Sequence, residues 1–237
     1  VNASAWRFEP VDGKRIRYGL GGIKGTGEQA IASIVAAREA DGPFRDLFDF
    51  CRRVDKRLVN RRVVEALIRG GAFDSIDPRR ATLFASVGIA LADAERSDAA
   101  GAQVSLFGDA AAPAQDALVA TREWTDAERL THGKAALGFY LSGHPLDDYM
   151  SALKRRDVKT LAEITARAAN GPFIGKLAGS VASKQERKSA KGNRFAFVSL
   201  SDPTGLYEVT VFSDTLDAAR DHLEPGKNVV LTVEANL

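Results

Sequence analysis

Gly25-Thr26-Gly27, with Lys24 before it and a run of helical spacing after it, is the strongest chemical signal in the chain. Two glycines in a turn let the backbone come close to a ligand and point N–H groups outward. At the start of a helix those groups lie at the positive end of the dipole, a setting that suits a phosphate. Leu20 and Ile23, one turn apart, predict a short first helix, and Glu28 to Arg38 predicts the second, so the segment reads as a helix-hairpin-helix. Lys24, Gly25, Thr26 and Gly27 are then the duplex-holding residues, and such a hairpin holds phosphate without reading bases. The plainer alternative is a helix-turn-helix corner. Two nucleotide-binding readings fail. Gly25 to Ala30 fits a loose dinucleotide fingerprint, but residues 19–24 are too glycine-rich for the buried strand that it requires. Gly22 and Gly27 have P-loop spacing, with Glu28 where lysine is needed.

Two basic clusters point to a polyanion partner. Residues 52–62 hold Arg52, Arg53, Lys56, Arg57, Arg61 and Arg62 against Asp55 alone. They flank a second hairpin candidate, residues 60–73, whose Gly70-Gly71 lacks the Gly-x-Gly spacing; Arg61 and Arg62 are its duplex contacts. Residues 172–194 hold Lys176, Lys184, Arg187, Lys188, Lys191 and Arg194 against Glu186, and Phe195 and Phe197 follow directly. Cations beside aromatic rings suit a single strand, whose bases stack while its phosphates meet Lys and Arg. The competing readings are solvated faces for the charges and a barrel core for the phenylalanines, which alternation puts on one side.

Catalytic groups are missing from the pattern. Nucleotidyl transfer needs carboxylates that share two metal ions, and no Asp-x-Asp occurs. His132, His144 and His222 show no ligand spacing, and the one cysteine, Cys51, excludes an internal disulfide and a Cys-based zinc site. No catalytic and no metal-binding residue is assigned. Apolar runs of a few residues rule out a membrane-spanning helix. With no disulfide and no export signal, the cytoplasm is the expected compartment.

The elements that must carry these residues follow from periodicity. Residues 1–18 predict a hairpin, with Ala5 to Phe8 and Ile16 to Tyr18 as strands and Asp12-Gly13 as the turn. Helical stripes follow: Ile31, Ile34 and Val35, ending at Asp41-Gly42-Pro43; Phe44, Leu47, Phe48 and Cys51; Val63, Val64, Leu67 and Ile68 behind an Asn60 cap; then Leu83, Phe84, Val87 and Leu91. Residues 98–118, with eight alanines, three aspartates and no basic residue, read as a flexible linker interrupted by Gln103-Val104-Ser105-Leu106-Phe107. Helical spacing returns from Thr125. Beyond Phe173 the period becomes two, giving four strands with a helix between the third and fourth, the order of a small OB-type barrel. The expectation is an α+β chain: 1–97 tandem helix-hairpin-helix, 98–120 linker, 121–170 helical connector, and 171–237 an OB barrel lacking its last strand. Val1 in place of Met, and an apolar alternating end, point to a piece of a longer polypeptide.

Several stretches together resemble the bacterial family C replicative DNA polymerases, the DNA polymerase III alpha subunits. They are Ile16-Arg17-Tyr18-Gly19-Leu20 with Ile23-Lys24-Gly25, then Asn60-Arg61-Arg62 through Gly71-Ala72-Phe73-Asp74, and above all Leu137-Gly138-Phe139-Tyr140-Leu141-Ser142-Gly143-His144-Pro145-Leu146. The resemblance covers essentially the whole chain. It implies the end of the fingers, a helix-hairpin-helix domain on duplex DNA, a clamp-binding linker and most of an OB domain on single-stranded template. It also implies that the DNA-directed DNA polymerase (nucleotidyltransferase) activity, with its catalytic aspartates and Mg, belongs to the parent upstream, and that other replicase subunits bind regions absent here. The family's Gln-x-x-Leu-Phe motif for the beta sliding clamp is matched by Gln103, Leu106 and Phe107, with Val104 where Leu is common. Two alternatives stand beside the replicative subunit: its error-prone homologue, and a stand-alone helix-hairpin-helix plus OB accessory protein of repair or recombination.

Overall fold

The structure, a computed structural model, describes residues 1–102, 117–190 and 192–236. The chain is α+β and divides into two compact units, Val1–Ser142 and Gly143–Leu237.

The first unit opens with a two-residue ribbon, β1 (Glu9–Pro10) against β2 (Ile16–Arg17), registered Glu9↔Arg17. This is shorter than the alternation at residues 5–8 predicts. The Asp12 carboxylate accepts the N–H groups of Lys14 and Arg15, so a local turn takes the chain that a longer ladder would need. Residues 5 and 6 instead receive the N–H groups of Leu20 and Gly21.

Helices α1 (Glu28–Asp41), α2 (Leu47–Arg53), α3 (Arg61–Arg69), α4 (Arg80–Ala102) and α5 (Asp126–Leu137) make up the rest. Their ends are chemically marked. Asp46 and Asn60 accept the N3 amide of α2 and α3, and Thr125 with Glu128 forms a capping box on α5. The apolar stripes converge on one core, in which the rings of Phe44, Phe50 and Phe73 meet edge-on at 4.9 Å beside the fully buried Ile31, Ile34, Leu67 and Ile68. Helix α4 runs to Ala102, into the stretch that composition assigns to the linker. Alanine is the best helix former, so an Ala-rich run can continue the helix to Ala102.

In the second unit a 3-10 turn and α6 (Met150–Arg155) lead to β3 (Val158–Lys159), α7 (Leu161–Ala168), β4 (Phe173–Lys188), β5 (Arg194–Asp202), β6 (Gly205–Phe212), α8 (Ser213–Ala219) and β7 (Asn228–Ala235). The stretch 121–170 is therefore divided: α5 belongs to the first unit, and α6 to α7 belong with the sheet. The long strand β4 organises the curled mixed sheet. Residues 173–180 pair antiparallel with β7, and residues 180–188 pair antiparallel with β5, with a register shift between Val181 and Ser183. Strand β6 continues beyond β5, and β3 lies parallel to β4, Val158 opposite Lys176. One core cluster joins Val181, Ala196, Val198, Leu200 and Val211 of the sheet to Leu216 on α8 and Leu223 just after it. Burying each Val or Leu there contributes about 1.5–3 kcal/mol. Tyr207 spans this core and donates its hydroxyl to the Ala178 carbonyl at 3.0 Å.

Candidate nucleic-acid interface

The hairpin of the first unit is built from its smallest parts. The first helix is a single 3-10 turn, Leu20–Gly22, shorter than the spacing of Leu20 and Ile23 suggests. The Thr26 hydroxyl closes the loop, 2.7 Å from the Ile23 carbonyl and 3.0 Å from that of Leu20. Gly25 takes φ +88°, a conformation that L side chains rarely adopt. Gly27 is different. It caps α1 at φ −102° and ψ 155°, which any residue can adopt, and a Cβ there would meet no protein atom. The fold does not require glycine at 27; its bareness leaves the first N–H groups of α1 open, with no side chain capping them. Lys24 is exposed. Its backbone N–H is held by the Ala136 carbonyl at 2.7 Å, and its stem and ammonium cross Gly138 at the end of α5.

The second hairpin candidate differs in the property that matters. The start of α4 is already occupied: the Glu123 carboxylate accepts the N–H of Ala81 at 3.1 Å, the N–H of Thr82 at 3.0 Å and the Thr82 hydroxyl at 2.5 Å. An internal anion fills the place that a phosphate takes at an open helix start. The basic cluster around it is largely committed as well. Arg52 pairs with Asp93, Lys56 with Asp98 and Arg57 with Asp55. Arg53 is held by Asp49 and by the carbonyls of Ala37 and Gly42. Arg61 pairs with Glu65 along its own helix, and Arg62 alone of the six is exposed with no ion pair among the described residues.

On the sheet, strand parity separates the second cluster. Ala196, Val198 and Leu200 face the core, so Phe195 and Phe197 lie on the outer face, half-buried, 5.4 Å apart and edge-on. The core reading of these rings is thereby replaced by a surface one. Arg187 lies opposite Phe195, with its guanidinium 5.6 Å from the centre of the Phe197 ring. On the other side Phe195 is registered with Phe212, whose side chain is 70% exposed. Four residues thus form one outer platform: Arg187, Phe195, Phe197 and Phe212. The sequence contains the signal for Phe212, because an outward position on β6 follows from inward Val209 and Val211, but only the register puts it beside Phe195.

Lys184 stands apart. It shares the core-side parity of Val198, is 12% exposed, and gives its ammonium to Glu224 at 2.5 Å and to the Arg220 carbonyl at 3.2 Å. Lys188 and Arg194 face each other at the exposed end of the β4–β5 ladder. Lys191, and with it Gln103, Leu106 and Phe107, lies outside the described residues. No group of three or more His, Cys, Asp or Glu side chains among the described residues could hold a metal ion. No described helix is long and apolar enough to cross a membrane. His144, buried, is a structural residue: its Nδ1 accepts the Leu146 N–H at 3.1 Å and its Nε2 lies 3.0 Å from the Ser201 hydroxyl.

Residues 1–83 match the family model for the helix-hairpin-helix motif, the stretch that holds the open hairpin and α1 to α3. Those residues accordingly carry a helix-hairpin-helix motif. Over its whole length the chain is similar to DNA polymerase III subunit alpha. It is 44% identical to that of Caulobacter vibrioides over 99% of this chain, 40% identical to that of Neisseria meningitidis serogroup B over 100%, and 34% identical to that of Escherichia coli K12 over 98%. It spans about one fifth of the length of these relatives. The chain is a relative of one continuous stretch of that subunit.

Proposed function

We propose that this chain is the DNA-tethering portion of a replicative DNA polymerase alpha subunit, taken from its C-terminal half, with DNA-templated DNA synthesis residing in the parent protein. The observation that carries the reading is the uncapped start of α1 beside Lys24, in a unit that matches the helix-hairpin-helix motif. Duplex phosphate meets the N–H groups after Gly25-Thr26-Gly27, with Lys24 and Arg62 as the cations free to assist. Similarity along the whole chain to polymerase subunits supports this over a free-standing accessory factor.

The second unit is read as an OB-type barrel. Its bent first strand β4, shared between β5 and β7, and the helix between β6 and β7 support that reading. Single-stranded template stacks on Phe195, Phe197 and Phe212, with Arg187, Lys188 and Arg194 meeting its phosphates. Gln103, Leu106 and Phe107 dock into a beta sliding clamp.

Fluorescence anisotropy with a 20-base-pair duplex and with oligo-dT tests the division of labour. A Phe195→Ala, Phe197→Ala, Phe212→Ala variant is expected to lose oligo-dT and keep the duplex, because each lost base stack costs about 1–3 kcal/mol while the hairpin is untouched. Equal loss on both ligands, or no loss on oligo-dT, would overturn the assignment of the sheet face.

A further inference from the structure

A third basic surface lies on the second unit, away from the aromatic platform. Lys154, Arg155 and Arg156 end α6 and are exposed, and none has an ion-pair partner among the described residues. Elsewhere the exposed arginines of this chain are often neutralised by a near neighbour, as Arg57 is by Asp55, Arg79 by Asp77 and Arg122 by Glu128. Here the chain turns through Asp157 at φ +58° and enters β3, whose parallel register sets Val158 opposite Lys176 on β4. Lys176 is exposed on the outer parity of that strand. Arg167, on α7, lies with its guanidinium 5.1 Å from the centre of the Phe173 ring, at the start of the same strand.

The two acids nearby do not offset this charge. Asp157 is bound by Lys159 at 2.5 Å, and the charges of Arg167 and Lys176 add to that bond in holding its carboxyl below the usual range, which places both cations around it. Glu163 is committed to the capping box with Thr160 at the start of α7, and it feels Lys159 and Lys154 in turn. Residues 154–176 carry six cations against these two carboxylates. The cluster is contributed by the end of α6, β3, α7 and the first half of β4.

We infer that Lys154, Arg155, Arg156, Arg167 and Lys176 form a second DNA-backbone contact, one that takes phosphates through charge. Exposed cations suit a regularly charged backbone, and they are indifferent to its sequence. The inference rests on the reading of the chain as DNA-binding, but not on the hairpin or the aromatic platform.

The test compares the 237-residue chain with a Lys154→Ala, Arg155→Ala, Arg156→Ala variant. These side chains are exposed, so the melting temperature should be unchanged. Each phosphate contact removed lowers the slope of log affinity against log salt by about 0.9 on duplex, so the variant should lose about two to three units. The affinity ratio of unmodified chain to variant should be largest at low salt and shrink as salt rises. An unchanged slope on duplex in a folded variant would overturn the inference, while the platform variant still losing oligo-dT would leave the wider functional reading standing. Loss of polyglutamate binding with DNA binding retained would also overturn it, marking the surface as one for acidic peptides. If the unmodified chain binds neither DNA, both readings fall together.

Discussion

Gly25 and Gly27 are two residues apart and do different things, and substitution separates them. At Gly25 the backbone conformation itself excludes other residues, so Gly25→Ala should lower stability by about 1–2 kcal/mol, visible in a melt before any ligand is added. At Gly27 a side chain fits, and Gly27→Val should cost no more than about 1 kcal/mol as a poorer cap, yet weaken duplex binding for all sequences alike. A Gly27→Val protein that binds duplex as tightly as the unmodified chain would remove the backbone from the contact. The sequence displays both glycines as one motif; the difference between them is a matter of φ and open space, which spacing does not encode. Charge misleads in the same way. Arg53 and Lys184 are as basic in the sequence as Arg62 and Arg187, but the folded chain spends the first two on Asp49 and Glu224.

At the level of elements, caps were legible and long-range partners were not. Asn60 before an apolar stripe, and Thr125 with Glu128, announce α3 and α5 because a capping residue and the amides that it satisfies lie within four residues. The cap on α4 comes from Glu123, some forty residues away, and no local pattern could have found it. Glu123→Ala should destabilise the first unit by about 1–2 kcal/mol in denaturant melts, by stripping a helix start of its acceptor, with oligo-dT binding unaffected. The α5 cap gives a pH signature. The Thr125 amide, followed by Arg122, depresses the Glu128 carboxyl to about 2 from an ordinary 4.5. A group depressed in the folded state contributes above its unfolded value and loses that contribution as pH falls through the folded one. Melting temperature should therefore fall between about pH 4.5 and 2, and Glu128→Gln should lose part of that dependence. The order of elements along the chain was readable too, since four period-2 runs and one helical run map onto β4, β5, β6, α8 and β7. Register was not, and with it went the placing of Phe212 beside Phe195.

For the whole molecule, the open question is how weak contacts add. In the proposed function the hairpin, the aromatic platform and the Lys154–Arg156 surface each hold DNA through phosphate or stacking, so each should be salt-sensitive and none should select sequence. A chain with such contacts releases DNA readily unless something retains it. Gln103-Val104-Ser105-Leu106-Phe107 supplies the retention in the proposed function: two adjacent apolar anchors and a glutamine whose amide can fix register in a partner's pocket. Such a short peptide pays an ordering cost on docking and binds at modest affinity alone. Covalent attachment to a segment already on DNA raises the effective concentration, so a weak peptide can still hold the assembly in place. The prediction concerns both regimes. A Gln103→Ala, Leu106→Ala, Phe107→Ala variant should lose binding to the isolated sliding clamp in titration calorimetry, with its melting temperature and its affinity for naked duplex unchanged. On DNA loaded with the clamp, the unmodified chain should dissociate more slowly than from naked DNA, and the variant should show no such difference. Equal clamp binding by the two proteins would sink the motif and leave the DNA contacts to act alone.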